Sequence, residues 1–255
     1  MKQINNPFSL EGKRYLITGA ASGIGRSTSI ILSEAGADLI LVDINHEGLV
    51  ETQKKCNPSD KLLVLDLANS SIIKKELLAV VMEFGKLDGF VHLAGKSYIA
   101  PLKIVNEEKC KDIFSLNTYA AIELAKTFIN KKVYNGVNGS IVLISSVYGV
   151  VGSAANVGYA MSKSALHGIT KSLAIELASK KIRVNCIAPG FVKTNMLDSA
   201  SGMFDEKYEE KLNNLHPLGL GTPEDIAYSI VYLLSDASKW VTGSIFNIDG
   251  GFTAL

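Results

Sequence analysis

Tyr159 and Lys163 are the pair of residues best suited to proton chemistry. They are four positions apart in a segment that reads as a helix, so their side chains share one face. A phenol has a pKa of about 10, and a neighbouring ammonium group lowers that pKa toward neutrality. A tyrosine tuned in this way can act as a general acid or base. The pair alone is also common on helix surfaces and needs support from other residues.

Ser146 supplies that support, because it follows the fifth apolar run of the chain, Ser140–Ile144. The carboxyl ends of parallel strands are where ligands bind in α/β sheets. A hydroxyl at this point can orient a substrate oxygen against Tyr159. Ser145 is the competing candidate, and a turn cap is the alternative role for Ser146.

A glycine-rich turn follows the first apolar run, with Gly19, Ser22, Gly23, Ile24 and Gly25 in the sequence Thr18-Gly-Ala-Ala-Ser-Gly-Ile-Gly25. Strand, glycines and helix in this order predict a pyrophosphate site at the helix N-terminus. The alternative is a tight turn that packs a helix closely and binds nothing.

Asp43 ends the second apolar run, where a carboxylate can accept hydrogen bonds from both ribose hydroxyls of an adenosine and repel a 2′-phosphate. Ser22 is not basic, and no arginine follows Asp43. We therefore expect NAD rather than NADP. Arg26 weakens this argument if it reaches a phosphate, although an exposed helical position is its expected role. Asp66, after the third run, either contacts the adenine or caps the next helix.

Seven short apolar runs alternate with longer amphipathic segments, which indicates βαβ units and strands buried on both faces of a parallel sheet. The predicted strands are 14–18, 38–42, 61–65, 89–93, 140–144, 182–187 and 244–248. The predicted helices are 24–35, 71–84, 107–129 (as two helices), 159–179 and 223–234, the last capped by Thr222. The expected fold class is α/β, one doubly wound parallel sheet (Rossmann fold) with helices on both faces.

We expect one domain, 1–255, that binds a dinucleotide and carries the catalytic residues. The polar segment at about 195–217 interrupts the alternation of strands and helices. It is either a surface excursion or a cover over the substrate.

The composition gives no case for a nucleic-acid or membrane partner. Formal net charge is +1, with 47% hydrophobic and 20% charged residues, and no apolar run approaches the roughly 20 residues that span a bilayer. Cys56, Cys110 and Cys186 are far apart and form no metal-binding motif. We expect a cytoplasmic protein without a metal site, acting on a small-molecule substrate.

Taken together, these motifs resemble the short-chain dehydrogenase/reductase family over about residues 9–255. The glycine turn and the spacing of Ser146, Tyr159 and Lys163 match the family pattern, with Tyr159 thirteen residues after Ser146. So do Asn117, the segment Pro189–Thr194, Pro217–Ala227 and Asp249-Gly250-Gly251.

The resemblance implies a role for each matched residue. Tyr159 would be the general acid or base, Lys163 would lower its pKa and bind the nicotinamide ribose, Ser146 would position the carbonyl oxygen, and Asn117 would hold a water and complete a proton relay. The expected cofactor-binding set is Gly19, Ser22, Gly23, Ile24, Gly25, Asp43, Asp66, Leu67, Ala94, Gly95, Tyr159, Lys163, Pro189, Gly190, Val192 and Thr194. The family also implies a homotetramer.

His92-Leu93-Ala94-Gly95 departs from the family's usual Asn-Asn-Ala-Gly. We expect His92 to be a buried histidine with satisfied hydrogen bonds, without a catalytic role. The change puts local hydrogen bonding in question more than function.

The expected activity is NAD(H)-dependent hydride transfer between the nicotinamide and a secondary alcohol or ketone of a polyol, sugar or hydroxyacyl type. One alternative is a 3-oxoacyl-(acyl-carrier-protein) reductase that uses NADPH, although Val137-Asn138-Gly139 lacks the arginine expected there. A dinucleotide sensor without turnover is the alternative from another class.

Overall fold

A computed structural model describes residues 6–194 and 212–254. In this part of the chain seven parallel strands form one sheet in the order β3-β2-β1-β4-β5-β6-β7. The strands are β1 Arg14–Thr18, β2 Asp38–Asp43, β3 Lys61–Val64, β4 Gly89–His92, β5 Gly139–Ile144, β6 Ile182–Pro189 and β7 Ile245–Ile248. The order reverses between β1 and β4, which makes the adjoining ends of these strands the expected ligand crevice.

The predicted strands are confirmed, with boundaries that move by at most two residues. Burial on both faces is wrong for the two edge strands. Val64 at the end of β3 is exposed, and β7 is only partly buried. An edge strand has a neighbour on one side only, so helices cover it less completely.

Helices cover both faces of the sheet and enclose one hydrophobic core on each side. The helices are α1 Gly23–Glu34, α2 His46–Gln53, α3 Ser70–Phe84, α4 Glu107–Phe114, α5 Ala120–Phe128, α6 Val157–Leu177 and α7 Pro223–Leu234. Helices α1 and α7 pack on one face, and α3, α5 and α6 pack on the other. None of the described helices is long and apolar enough to cross a membrane.

Two helical features differ from the sequence prediction. Helix α2 was not predicted, because it is short and mostly polar, and its start depends on the Asn45 side chain accepting a hydrogen bond from the Gly48 N–H. The stretch 107–129 does form two helices, which meet in a π-helical turn at Ser115–Tyr119. Such turns are rare and occur frequently at functional sites.

Asp60, just before β3, links the edge of the sheet to β2. One carboxylate oxygen accepts a hydrogen bond from the Leu39 N–H at 2.7 Å, and the other is buried without a partner. Burial raises the pKa of Asp60 to about 6. The charged form of this side chain therefore weakens the fold.

We predict that Asp60→Asn is more stabilising at pH 8 than at pH 4.5. The folded-state pKa lies above the unfolded value of about 3.9, so the folded chain binds more protons between these values and loses stability as the pH rises through them. The difference is on the order of 2 kcal/mol. Urea unfolding at both pH values measures it, with the exposed Glu83→Gln as control. An effect of Asp60→Asn that is equal at the two pH values would contradict the prediction.

Candidate active site

Two adjoining cavities of about 220 and 530 Å³ open at the carboxyl ends of the strands. Six described residues line both cavities and make them continuous: Ile24, Leu93, Gly95, Lys96, Ile144 and Thr194. The smaller cavity contains the candidate catalytic side chains, and the larger contains the glycine turn. We refer to them as the substrate cavity and the cofactor cavity.

The glycine turn depends on close approaches that only glycine allows. A Cβ on Gly25 would lie 2.0 Å from the Gly19 carbonyl oxygen, and one on Gly19 would lie 2.9 Å from the Ala94 nitrogen. Gly19 also has a φ of +70°, in the left-handed region that favours glycine. The backbone after β1 can therefore lie directly against the backbone after β4.

The N-terminus of α1 is open toward the cofactor cavity. Ser22 is the N-cap residue but makes no side-chain cap bond, and the first turn of the helix holds no acidic residue. Gly23, Ile24 and Gly25 line the cavity. Backbone N–H groups and the helix dipole at such a terminus suit an anionic phosphate.

Asp43 lies at the end of β2 on the wall of the cofactor cavity. Its carboxylate accepts hydrogen bonds from the N–H groups of Ala21 at 3.2 Å and Asn45 at 3.0 Å. The next residue, Ile44, is exposed and carries no charge. A carboxylate fixed by two backbone N–H groups retains lone pairs for ribose hydroxyls.

The expectation that Arg26 is an exposed helical charge is wrong. Its guanidinium donates to the Thr52 hydroxyl at 3.1 Å and to the Ala21 carbonyl at 2.5 Å. This half-buried arginine links α1 to α2. Arg26 is not one of the described residues that line either cavity.

Asp66 and Leu67 also line the cofactor cavity. The Asp66 carboxylate accepts a hydrogen bond from the Ala68 N–H at 2.9 Å, whereas Asn69 is the N-cap residue of α3. Asp66 therefore stabilises the turn before the helix and does not cap the helix itself. Its place on the cavity wall is compatible with an adenine contact.

Ser146, Tyr159 and Lys163 meet in the substrate cavity. The Ser146 hydroxyl lies near enough to the Tyr159 phenol to lower its pKa. The Lys163 ammonium nitrogen lies 5.8 Å from the centre of the Tyr159 ring and donates to the Ile144 carbonyl at 2.8 Å. Ser146 also caps a turn, through its hydroxyl and the Tyr148 N–H. Both roles considered for Ser146 are therefore compatible.

Ser145, the competing serine, has a structural environment. It is buried, its hydroxyl lies 2.9 Å from the His167 ring, and it donates to the Lys163 carbonyl at 2.9 Å. Its hydroxyl therefore links the end of β5 to α6, and Ser146 is the better placed for a substrate oxygen.

Burial dominates the ionisation of the pair on α6. It raises the pKa of Tyr159, an effect that the nearby Ser146 hydroxyl opposes. It lowers the pKa of Lys163 to about 8. We expected Lys163 to lower the pKa of Tyr159, but in the protein alone burial has the largest effect on this pKa, and Ser146 rather than Lys163 is the group that lowers it. The lysine nevertheless remains largely protonated at pH 7.

Asn117 lies behind the cavities and is fully buried in the π-helical turn. Its side-chain oxygen accepts from the Lys96 N–H at 2.9 Å, and its amide nitrogen donates to the Lys96 carbonyl and the Ser162 hydroxyl, both at 3.0 Å. Asn117 thus fixes the chain that follows Gly95 against α6.

The end of β6 and the segment after it complete the wall of the site. Pro189, Gly190, Val192 and Thr194 line the substrate cavity, and Ala94 and Gly95 line the cofactor cavity. A Cβ on Gly95 would lie 3.3 Å from the Lys163 ammonium nitrogen. Of the predicted site residues, all but Asn117 therefore line one cavity or both.

An aromatic cluster beside the substrate cavity was not predicted. The Tyr148 ring packs edge-on against Phe191, and Phe191 packs edge-on against His216, with ring centres 5.6 and 5.5 Å apart. The His216 and Phe252 rings are tilted by 34°, with centres 5.0 Å apart. His216 also accepts a hydrogen bond from the Phe191 N–H at 3.2 Å. The residues come from four separate segments, so no local sequence pattern connects them.

His92 is a buried histidine with both ring nitrogens satisfied, as expected. One nitrogen lies 3.0 Å from the Thr18 hydroxyl and the other 3.0 Å from the Leu116 carbonyl. Thr18 also accepts from the N–H groups of Leu93 and Ala94, so it donates to His92, which in turn donates to Leu116. Burial lowers the pKa of His92 to about 4 and keeps the ring neutral.

Comparisons with known proteins identify the family. A family model described as enoyl-(acyl carrier protein) reductase matches residues 19–253. The chain is 37% identical, over 95% of its own length and 98% of the relative's, to the 3-oxoacyl-(acyl-carrier-protein) reductase FabG of Thermotoga maritima. The chain belongs to the short-chain dehydrogenase/reductase family. It is an oxidoreductase that acts on CH–OH or keto groups.

Solved structures of this family have the same fold. A protein from Agrobacterium tumefaciens, proposed to be a 2-deoxy-D-gluconate 3-dehydrogenase and solved with NADP, is 31% identical with a TM-score of 0.88, covering 98% of this chain and 100% of the other. A 4-hydroxyisoleucine dehydrogenase solved with NADH is 31% identical with a TM-score of 0.88, covering 96% and 100%. The family therefore includes similar proteins with either cofactor.

We predict that His92→Leu destabilises the protein by about 2–4 kcal/mol, because it leaves the buried Thr18 hydroxyl and Leu116 carbonyl without their partner. Urea unfolding measures the loss. His92→Asn, which restores the usual family residue, is expected to lose less because its amide retains hydrogen-bonding atoms. A His92→Leu protein as stable as the wild type would contradict this interpretation.

Proposed function

We propose that this chain is an NAD(H)-dependent oxidoreductase that transfers a hydride between the nicotinamide and a secondary alcohol or ketone of a small or medium substrate. The observation that carries the proposal is that Ser146, Tyr159 and Lys163 line one cavity, which is continuous with the cavity of the glycine turn.

The residues of the cofactor cavity fit a dinucleotide. The close backbone approach at Gly19 and the open N-terminus of α1 suit a pyrophosphate, and Asp43 suits a ribose. Asp66 and Leu67 would contact the adenine, Lys163 the nicotinamide ribose, and Val192 with Thr194 the carboxamide. When bound, the nicotinamide supplies or accepts the hydride.

The chain's own side chains would handle the proton. During ketone reduction Tyr159 donates its phenolic proton to the substrate oxygen, and the Ser146 hydroxyl donates a hydrogen bond to that oxygen as negative charge develops on it. The Lys163 ammonium stabilises the phenolate that remains. Alcohol oxidation runs these steps in reverse.

Asn117 would act mainly by positioning the backbone around Lys163. Its amide bonds to Lys96 and Ser162 hold the backbone beside Lys163. The water relay that the family resemblance implies for Asn117 stays a prediction.

NAD is the cofactor we propose, against NADP. Asp43 and Asp66 would place two carboxylates at the adenosine end of the cofactor cavity. Among the described residues that line the whole cavity, Lys96 is the one basic side chain. Ile44 and Ser22 offer no positive charge to a 2′-phosphate. Arg26, the residue that weakened this argument in the sequence, is bonded to Thr52 and Ala21.

A 3-oxoacyl-(acyl-carrier-protein) reductase that uses NADPH is the second candidate, favoured by the 37% identity to FabG. Two assays separate the candidates: reduction of an acetoacetyl thioester with NADPH, and oxidation of polyols and sugar acids with NAD⁺. A carrier-protein reductase reduces the keto group of the thioester with NADPH. A dinucleotide sensor would bind NADH and turn over none of these compounds.

We also propose one catalytic domain over 1–255, with the segment 195–217 covering the substrate. Of that segment, residues 195–211 lie outside the described residues. The single sheet that spans Arg14 to Ile248 supports one domain. The homotetramer and the cytoplasmic location stay predictions.

Tyr159→Phe is expected to lower kcat by about 10²- to 10⁴-fold, because the proton donor is lost while the ring is kept. Steady-state kinetics on the best alcohol and NADH titration by fluorescence measure turnover and binding separately. Tyr119→Phe, an exposed tyrosine on the π-helical turn, is the control. Retained turnover in Tyr159→Phe would remove the proposed proton donor.

Asp43→Ala is expected to reduce the preference for NADH over NADPH by about tenfold or more, since a carboxylate near a 2′-phosphate repels it by roughly 1–4 kcal/mol. Titrating both reduced cofactors gives the ratio of their Kd values. Asp66→Ala, in the same cavity, should leave this ratio nearly unchanged. Tighter binding of NADPH by the wild-type protein would overturn the choice of cofactor.

A further inference from the structure

Lys96 is a charged side chain of the site that the proposed chemistry does not use. It follows Gly95 directly and lines both cavities. Its backbone is fixed on both sides by the Asn117 amide, at 2.9 Å and 3.0 Å. The base of the side chain is therefore rigid, while the half-buried stem and ammonium group can still move.

The substrate cavity has a positive charge balance. Among its described lining residues, the charged side chains are Lys96 and Lys163, and there is no carboxylate. Lys163 is buried, donates a hydrogen bond to the Ile144 carbonyl and lies beside the Tyr159 ring. Lys96 is thus the cation of this cavity that remains available to a substrate.

The partner of Lys96 lies on the cofactor side. The ammonium nitrogen is 2.5 Å from the Asp112 carboxylate, which is half-exposed on α4 and lines the cofactor cavity but not the substrate cavity. An ion pair this exposed contributes little stability. A second carboxylate in the substrate cavity can therefore share or take over the ammonium group at small cost.

We propose that Lys96 selects substrates that carry a carboxylate, so that the enzyme acts on hydroxy acids or the corresponding keto acids. This inference rests on the proposed function and names its substrate class. The carbinol carbon loses a hydride to NAD⁺ and its hydroxyl loses a proton to Tyr159, which gives a ketone. The carboxylate itself is unchanged and binds Lys96 through charge-assisted hydrogen bonds.

The test compares acids with their uncharged amides. D-Gluconate is paired with D-gluconamide, and 3-hydroxybutyrate with 3-hydroxybutyramide, with D-glucitol and acetoacetyl thioester as further probes. We expect wild-type kcat/KM to favour at least one acid over its amide by roughly 10- to 100-fold, the range for a hydrogen bond to a charged group. Lys96→Met removes this preference through the KM of the acid. The Lys96→Met variant keeps the wild-type kcat/KM for the amide and the wild-type KM for NAD⁺.

Three variants sharpen the result. Lys96→Arg keeps the charge and should keep the preference, which separates the charge from any structural role. Asp112→Asn releases the ammonium group and should lower the KM of the acid. Lys111→Met is the matched control. It removes an exposed lysine that lies next to Asp112 on α4 and pairs with Glu107, and it should change neither the preference for the acid nor the KM of the acid.

Each other outcome decides against the inference. If kcat/KM of the Lys96→Met variant falls equally for acid and amide, Lys96 has a structural role. If the KM for NAD⁺ rises in this variant, Lys96 binds the cofactor rather than the substrate. Turnover of D-glucitol or the thioester but of neither acid would overturn the substrate class and leave the proposed function standing. Failure to oxidise or reduce any secondary alcohol or ketone, with NADH still bound, would overturn the proposed function itself.

Discussion

The close approach of the chain after β1 to the chain after β4 is the constraint on which the rest of the site depends. Thr18 accepts the N–H groups of Leu93 and Ala94 and donates to His92, so one hydroxyl joins both strand ends. Gly19 has no side chain and lets the two backbones meet. The cofactor cavity exists because these strands end side by side at the point where the strand order reverses.

The same contact extends to the reacting side chains. His92 bonds to the Leu116 carbonyl, and the next residue, Asn117, holds Lys96 and Ser162. Ser162 precedes Lys163 on α6, so hydrogen bonds, together with the peptide links from Leu116 to Asn117 and from Ser162 to Lys163, connect β1 to the lysine. Buried polar networks in which every member is satisfied are rigid and specific. The network therefore fixes the backbone of α6 beside Lys163, whose ammonium group donates to the Ile144 carbonyl.

Charge in the site is unevenly distributed. Among the described lining residues, the carboxylates line the cofactor cavity alone, whereas Lys163 lines the substrate cavity and Lys96 lines both. Burial raises the pKa of Tyr159 and lowers that of Lys163, so neither group is ionised as readily as in water. A positively charged oxidised nicotinamide would change this balance in favour of the phenolate.

The sequence by itself determined the strands, most helices, the glycine turn and the spacing of Ser146, Tyr159 and Lys163, because these follow from local periodicity and from motifs of few residues. It left the roles of Ser145, Arg26 and Asp66 open. In the tertiary structure Ser145 bonds to α6, Arg26 bonds to α2, and Asp66 bonds to the turn before α3 without capping the helix, since each side chain's partner comes from its packed surroundings. The adenine contact of Asp66 stays a prediction. The role of Lys96 and the cluster of Tyr148, Phe191, His216 and Phe252 could not be predicted from the sequence for the same reason. These residues reach their partners only when distant segments pack at the carboxyl ends of the strands, and no local spacing encodes such contacts.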